Sequence, residues 1–165
     1  YNPMSYHNGS VWPHDNSLIA AGLRRYGEIG GMERIASALF GAAERNCSHR
    51  LPELYCGFQR DEEAASDAPV PYPVSCAPQA WAAGAPLLLI RAMLGLTVDP
   101  AMRAVRVAPA LPSWLGRIRI EGLEALDRRF DLEVAREGKG YRIESDGPIE
   151  PGKHAILAAL SRRHV

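Results

Sequence analysis

The chain has 165 residues, and its 19 basic and 19 acidic side chains give a formal net charge of zero. This balance excludes the electrostatic surface typical of nucleic-acid-binding proteins. A hydrophobic share of 47% excludes a disordered chain. The longest apolar run, residues 80–90, contains Gly84 and Pro86 and is too short to cross a membrane. We therefore expect a soluble protein with neither a nucleic-acid nor a membrane partner.

The three cysteines, Cys47, Cys56 and Cys76, are odd in number and irregularly spaced, which does not predict a disulfide framework. A reducing compartment is expected, and with it a cytoplasmic location. A zinc site made of Cys47, His49 and Cys56 is an alternative, but it lacks the paired spacing of such sites, so no metal is expected. The glycine pair at 30–31 lacks the lysine and flanking strand of a phosphate-binding loop, and no organic cofactor is expected.

Residues 6–16 (YHNGSVWPHDN) concentrate side chains that donate and accept hydrogen bonds or stack on rings. Glycine and proline give this stretch a bent path, so it predicts a loop that binds a polar ligand. Asp15, Asn16 or Ser17 is expected to cap the helix that follows, and for Asp15 and Asn16 a ligand contact is the equal alternative. The candidate ligand contacts are Tyr6, His7, Asn8, Trp12, His14 and Asp15.

Three helices are expected after this loop. Apolar residues repeat at helical spacing over residues 18–26 and again over 32–43, and the short link predicts an antiparallel helical hairpin. A third helix is expected from Pro78 to about Leu94, with Gly95 as its stop. Because this helix is apolar nearly all round, we expect other helices to bury it on several sides.

The long connection between the second and third helices holds the best candidate for a catalytic group. Residues 48–74 show no periodicity, and so long a loop in a compact domain is more often functional than not. Glu53 lies there among apolar and aromatic neighbours such as Tyr55, a setting that predicts a raised pKa and a role as general base. The alternative is a carboxylate that caps a turn or pairs with Arg50 or Arg60.

Gln79 and Trp81 at the start of the third helix are expected to line the same pocket, although a tryptophan on an apolar helix is more often part of the core. Beyond Pro100 the apolar period changes to two, over 105–107, 118–120, 130–134 and 141–143. This pattern predicts a small antiparallel sheet with one solvent-exposed face and a hairpin at 138–140. Residues 154–165 are ambiguous between a strand and a short helix.

Three stretches, 6–16, 51–54 (LPEL) and 72–84 (YPVSCAPQAWAAG), resemble bacterial glycogen debranching enzymes of the amylo-α-1,6-glucosidase type. The resemblance covers residues 1 to about 120. That family is similar to the six-hairpin glycosidases, whose catalytic domain is an (α/α)6 barrel of twelve helices. The resemblance implies a mainly α fold with a β tail. Residues 1–98 would be the C-terminal helices and loops of an incomplete barrel, and residues 99–165 a small antiparallel β module.

The resemblance also implies a glycoside hydrolase that acts on α-glucosidic bonds, with α-1,6 branches of glycogen-like glucans as the expected substrate. Glu53 would be the general base of an inverting mechanism. The general acid would lie in an N-terminal part of the same polypeptide, so this fragment alone is expected to be inactive. The alternatives are a glycosidase of other specificity or a sugar phosphorylase on the same barrel, and a non-catalytic carbohydrate-binding module. A catalytic site predicts that His7, Trp12 and Glu53 face a common cavity.

Overall fold

The computed structural model describes residues 1–46, 48–59, 68–153 and 155–159, without the side chains of residues 158 and 159. Cys47 of the zinc alternative, Arg60 and residues 160–165 lie outside the described residues. The chain divides into two compact units, Tyr1–Ile90 and Arg91–Val165. The division at residues 98 and 99, expected from the sequence, stays a prediction.

Three helices and seven strands make up the described secondary structure. They are α1 (Pro13–Arg25), α2 (Ile29–Arg45), α3 (Ala80–Leu94), β1 (Thr97–Asp99), β2 (Ala104–Val107), β3 (Arg117–Ala125), β4 (Arg128–Glu137), β5 (Gly140–Ser145), β6 (Ile149–Pro151) and β7 (Ala155–Ala159). The strands form two mixed sheets. The predicted mainly α fold class, with residues 1–98 as part of an (α/α)6 barrel, is therefore wrong, and the chain is a small α/β protein. None of the described helices is long and apolar enough to cross a membrane.

Helix α1 begins earlier than its apolar period indicates. Pro13 occupies the start of the helix and Trp12 is the N-cap residue, without a capping side-chain hydrogen bond. Proline suits this position because its fixed φ matches the helix and its missing N–H would have no partner there. The predicted caps Asp15, Asn16 and Ser17 all lie inside the helix instead, so that prediction is wrong. Gly27 follows the helix at φ 82°, the left-handed conformation that glycine adopts without strain.

Helices α1 and α2 pack against each other, as predicted for a helical hairpin. The buried residues of α2 are Met32, Ala36, Leu39 and Ala42, which keep the predicted helical spacing. On α1, Ala20 is fully buried. A small side chain such as alanine lets packed helices approach closely, and the buried residues of the two helices form part of the core of the N-terminal unit.

Helix α3 is buried on one side. It begins at Ala80 instead of Pro78, and its inner positions Ala82 and Leu89 are fully buried. Trp81 and Leu87, by contrast, are 64% and 70% exposed. The predicted burial on several sides is therefore wrong, because in the described part of the unit no further helix covers the face of these two side chains.

A core cluster joins the helices to the loop that carries Glu53. It consists of Ala42 from α2, Leu51 and Tyr55 from the loop, and Ala82 and Ala85 from α3. The backbone of Tyr55 pairs with Val11 on one side and with Pro71 on the other. Residues 53–56 therefore run between residues 10–12 and residues 70–76, although the three segments are far apart in sequence.

The C-terminal unit contains both sheets. One has the strand order β1-β2-β6, in which β2 and β6 are parallel, and the other has β3-β4-β5-β7, in which β5 and β7 are parallel. The prediction of one antiparallel sheet is therefore wrong. The hairpin between β4 and β5 is confirmed, with Gly138 at φ 55° in the turn. The buried side chains of the larger sheet are Phe130, Leu132, Val134 and Ile143.

Candidate active site

Hydrogen bonds from two separate segments fix the carboxylate of Glu53. This side chain is only 9% exposed. Its Oε1 accepts a hydrogen bond from the Tyr6 hydroxyl at 2.7 Å, and its Oε2 accepts one from the backbone N–H of Cys76 at 3.1 Å. The backbone N–H of Glu53 donates in turn to the Cys76 carbonyl at 2.9 Å. Both the main chain and the side chain of Glu53 are thus joined to Cys76.

These donors keep Glu53 ionised. The Tyr6 hydroxyl and then the Cys76 N–H lower the pKa of Glu53 below its usual 4.5, and the Cys76 thiol and then His14 make smaller contributions in the same direction. Burial acts in the opposite direction, but the donors outweigh it because they bind the charged form. The raised pKa expected from the sequence is therefore wrong. The same hydrogen bond raises the pKa of Tyr6 to about 12.

An aromatic cluster surrounds the Tyr6 side of this carboxylate. The Tyr6 ring lies edge-on to His7, Trp12 and Tyr72, with ring centroids 4.8, 4.9 and 5.6 Å apart. The rings of His7 and Trp12 are parallel to within 7° at 6.0 Å. Edge-on pairs of this kind are favourable beyond the area that they bury. The aromatic cluster comprises Tyr6, His7, Trp12, His14, Tyr72 and Trp81.

His14 connects the two tryptophans of the aromatic cluster. Its ring centroid lies 5.5 Å from that of Trp12 and 4.9 Å from that of Trp81. Its Nε2 lies 3.1 Å from Oδ1 of the exposed Asp15. Its Nδ1 is buried and has no hydrogen-bond partner among the described residues. The ring therefore buries one nitrogen without a described partner, next to the exposed indole of Trp81.

The other predicted contact residues lie in different settings. Asn8 is exposed, and its backbone N–H donates to the Ser5 hydroxyl at 3.4 Å. The side chain of Tyr55 belongs to the core cluster, where burial raises its pKa. Oε1 of Gln79 is buried without a hydrogen-bond partner in the described part of the chain. The structure thus places Tyr6 against Glu53. Ring contacts connect Tyr6, directly or through one another, to His7, Trp12, His14 and Trp81. The roles of these residues stay predictions.

Two residues of the site were not among the predicted contacts. Cys76 contributes mainly its backbone N–H, a donor that every residue except proline carries, and its thiol lowers the pKa of Glu53 to a smaller extent. Tyr72 contacts the Tyr6 ring and lies in the stretch 72–84, which carries part of the family resemblance. Cys76 lies in the same stretch, so its likeness to debranching enzymes was the one sequence feature that could have predicted either residue as part of the site.

Within the described part of the chain, no three His, Cys, Asp or Glu side chains lie close enough to share a metal ion. Comparison of the sequence with protein-family models finds no match. Comparison with curated proteins finds none either.

Proposed function

We propose that Glu53 is the general base of a glycoside hydrolase that cleaves α-glucosidic bonds with inversion at the anomeric carbon. The expected substrate is the α-1,6 branches of glycogen-like glucans. The observation that carries the proposal is an ionised carboxylate fixed through both oxygens beside the aromatic cluster. A base must be unprotonated at the working pH, and a lowered pKa meets this condition. A general acid would need the opposite shift, so Glu53 is assigned the basic role alone.

In the proposed step, Glu53 removes a proton from water as the water oxygen bonds to the anomeric carbon. The bond from that carbon to the leaving oxygen breaks, and a general acid protonates this oxygen. Inverting enzymes place the acid roughly 6.5–9.5 Å from the base, which leaves room for the water. The proposal assigns the acid to a part of the same polypeptide outside residues 1–165.

Two further observations support a carbohydrate substrate. The exposed indole of Trp81 offers a flat apolar surface to the C–H face of a pyranose. The likeness of residues 6–16, 51–54 and 72–84 to debranching enzymes supports a glucan. A cytoplasmic location belongs to the same proposal, supported by the free thiols of Cys56 and Cys76.

Glu53→Gln in the full-length protein tests the assignment. The substitution keeps the shape of the side chain and removes its basicity, so turnover of a branched α-glucan should fall by about 10²-fold or more. Glu28→Gln is the matched control, because Glu28 is an exposed carboxylate just before α2. Turnover by the Glu53 variant within about tenfold of wild type would refute the base assignment.

The configuration of the product tests the mechanism separately. An inverting enzyme releases the β-anomer from an α-linked glucan, and proton NMR distinguishes the anomers before they equilibrate. Release of the α-anomer would contradict the inverting mechanism proposed for Glu53. Activity that depends on inorganic phosphate would indicate the phosphorylase alternative.

A non-catalytic carbohydrate-binding module is a second candidate, favoured by the 64% exposure of Trp81. Both functions predict that oligosaccharides bind this chain, and that Trp81→Ala weakens binding in calorimetry. Trp114→Ala is the control, because Trp114 is 52% exposed in the other unit. Sugar binding by the full-length protein without hydrolysis of any α-glucan would favour the module.

A further inference from the structure

We infer that Tyr6 is a positioning residue for Glu53, whose hydroxyl fixes the orientation of the carboxylate instead of contacting the sugar. The inference rests on the proposed function, in which Glu53 removes a proton from water. It changes the role expected for Tyr6 from substrate contact to support of the catalytic group.

The hydrogen bonds to Glu53 come from two residues that lie near the beginning and near the end of the N-terminal unit in sequence. Tyr6 OH holds Oε1 at 2.7 Å, while the Cys76 N–H holds Oε2 at 3.1 Å. A carboxylate held at one oxygen still rotates about its last carbon–carbon bond, whereas one held at both has a fixed plane. Tyr6 makes the largest side-chain contribution to the lowered pKa of Glu53, and the Cys76 thiol adds a smaller one. Misplacement of a base by about 1 Å can cost roughly 10²-fold in rate.

The Tyr6 ring is itself held in place. The backbone carbonyl of Tyr6 accepts a hydrogen bond from the indole Nε1 of Trp12 at 3.3 Å. The rings of His7, Trp12 and Tyr72 contact it edge-on. The hydroxyl therefore has a defined position before a ligand binds, as a preorganised catalytic group requires.

The proton of the Tyr6 hydroxyl is already used. A tyrosine hydroxyl has one proton to donate, and here it is directed to Oε1 of Glu53. The hydroxyl can therefore accept a hydrogen bond from a sugar but cannot donate one without releasing the carboxylate. Its loss would also leave Glu53 with a weaker preference for the charged form.

Tyr6→Phe in the full-length protein tests the inference. We expect kcat for a branched α-glucan to fall between about tenfold and about 10²-fold with KM nearly unchanged. The acidic limb of the kcat/KM profile should move to higher pH, because Glu53 then protonates more readily. Tyr26→Phe removes a hydroxyl that is 88% exposed at the end of α1, and it should move neither quantity. A raised KM with an unchanged acidic limb would overturn the inference and return Tyr6 to substrate binding.

A second measurement needs no activity. Carbon-13 NMR of the Glu53 carboxyl, assigned by its loss in Glu53→Gln, gives the titration midpoint directly, and Tyr6→Phe should raise it. Should that variant fail to fold, a ring-fluorinated tyrosine at position 6 keeps the shape and strengthens the donor, so the midpoint should fall. An unchanged midpoint overturns the inference. An active Glu53→Gln enzyme overturns the base assignment, and a midpoint that still moves in Tyr6→Phe then leaves only the hydrogen bond that orients Glu53.

Discussion

Glu53 is a carboxyl group at which hydrogen-bond donors outweigh burial. With only 9% exposure, an isolated carboxyl would prefer its neutral form. The Tyr6 hydroxyl, the Cys76 N–H and the Cys76 thiol reverse that preference. Tyr6 shows the reciprocal effect, because a proton shared with a carboxylate is harder to remove from the phenol. The sequence predicted the residue and its apolar neighbours, but the sign of the pKa shift depends on a partner 47 residues away.

The lowered pKa of Glu53 predicts a pH dependence of stability. Its stabilising contribution is fully present above the unfolded pKa near 4.5 and is lost as the pH falls through the lower folded pKa. Between about pH 6 and about pH 3, wild type should therefore lose more free energy of unfolding than Glu53→Gln. Urea unfolding at a series of pH values measures the difference, with Glu28→Gln as control. Parallel curves for wild type and Glu53→Gln would contradict the hydrogen bonds described.

Tyr6 predicts the opposite dependence at high pH. Because its folded pKa of about 12 lies above the ordinary 10.0, its contribution is present below pH 10.0 and is lost as the pH rises through about 12. In the folded chain, tyrosinate absorbance should show a step near pH 12 that Tyr6→Phe removes. Tyr26→Phe should retain this step. Its persistence in Tyr6→Phe would show that another of the six tyrosines produces it.

At the scale of elements, local patterns were predictable and long-range pairing was not. The spacing of Met32, Ala36 and Leu39 gave α2 because a helical face repeats within a few residues. The parallel partners β6 and β7 are only three and five residues long, and nothing in such short segments specifies a distant partner. The prediction of one antiparallel sheet failed for this reason, whereas the wrong mainly α fold class came from the family resemblance. The same limit hid the Tyr55 bridges to Val11 and Pro71, which align the loops of the site.

The close approach of two loop segments predicts the effect of a methyl group at Gly57. A Cβ there would lie 1.8 Å from the Gly9 carbonyl oxygen, and the N–H of Gly57 is bonded to the Pro3 carbonyl at 2.9 Å. Because backbone atoms cannot move aside cheaply, Gly57→Ala should lower the free energy of unfolding by about 1–3 kcal/mol.

Gly84→Ala is the matched control for Gly57→Ala, because a Cβ at Gly84 meets nothing within 4 Å and the residue lies inside α3. Alanine favours a helix, so this change should stabilise the protein by roughly 0.5–1 kcal/mol. Denaturant unfolding of both variants measures the two effects. Equal stability of Gly57→Ala and wild type would contradict the loop packing.

For the whole molecule, every contact described at the site lies within the unit Tyr1–Ile90. That unit also exposes large apolar side chains on two helices. On α1, Leu18 and Ile19 are 60% and 53% exposed, and on α3 Leu87 is 70% exposed. Water contact with neighbouring apolar side chains is unfavourable, and such surfaces are usually covered by another part of a protein or by a partner.

We therefore expect the isolated 165-residue chain to associate as its concentration rises. Replacing the adjacent pair by Leu18→Gln and Ile19→Gln should reduce the association, since the apolar area lost from water on contact becomes smaller. Ala38→Gln, at an exposed position of α2, adds a polar side chain to a helix without removing a large apolar one and should leave association unchanged. Sedimentation velocity over a concentration series measures all three proteins. A wild-type chain that stays monomeric throughout and melts cooperatively would show that its own units cover enough apolar surface for independent stability.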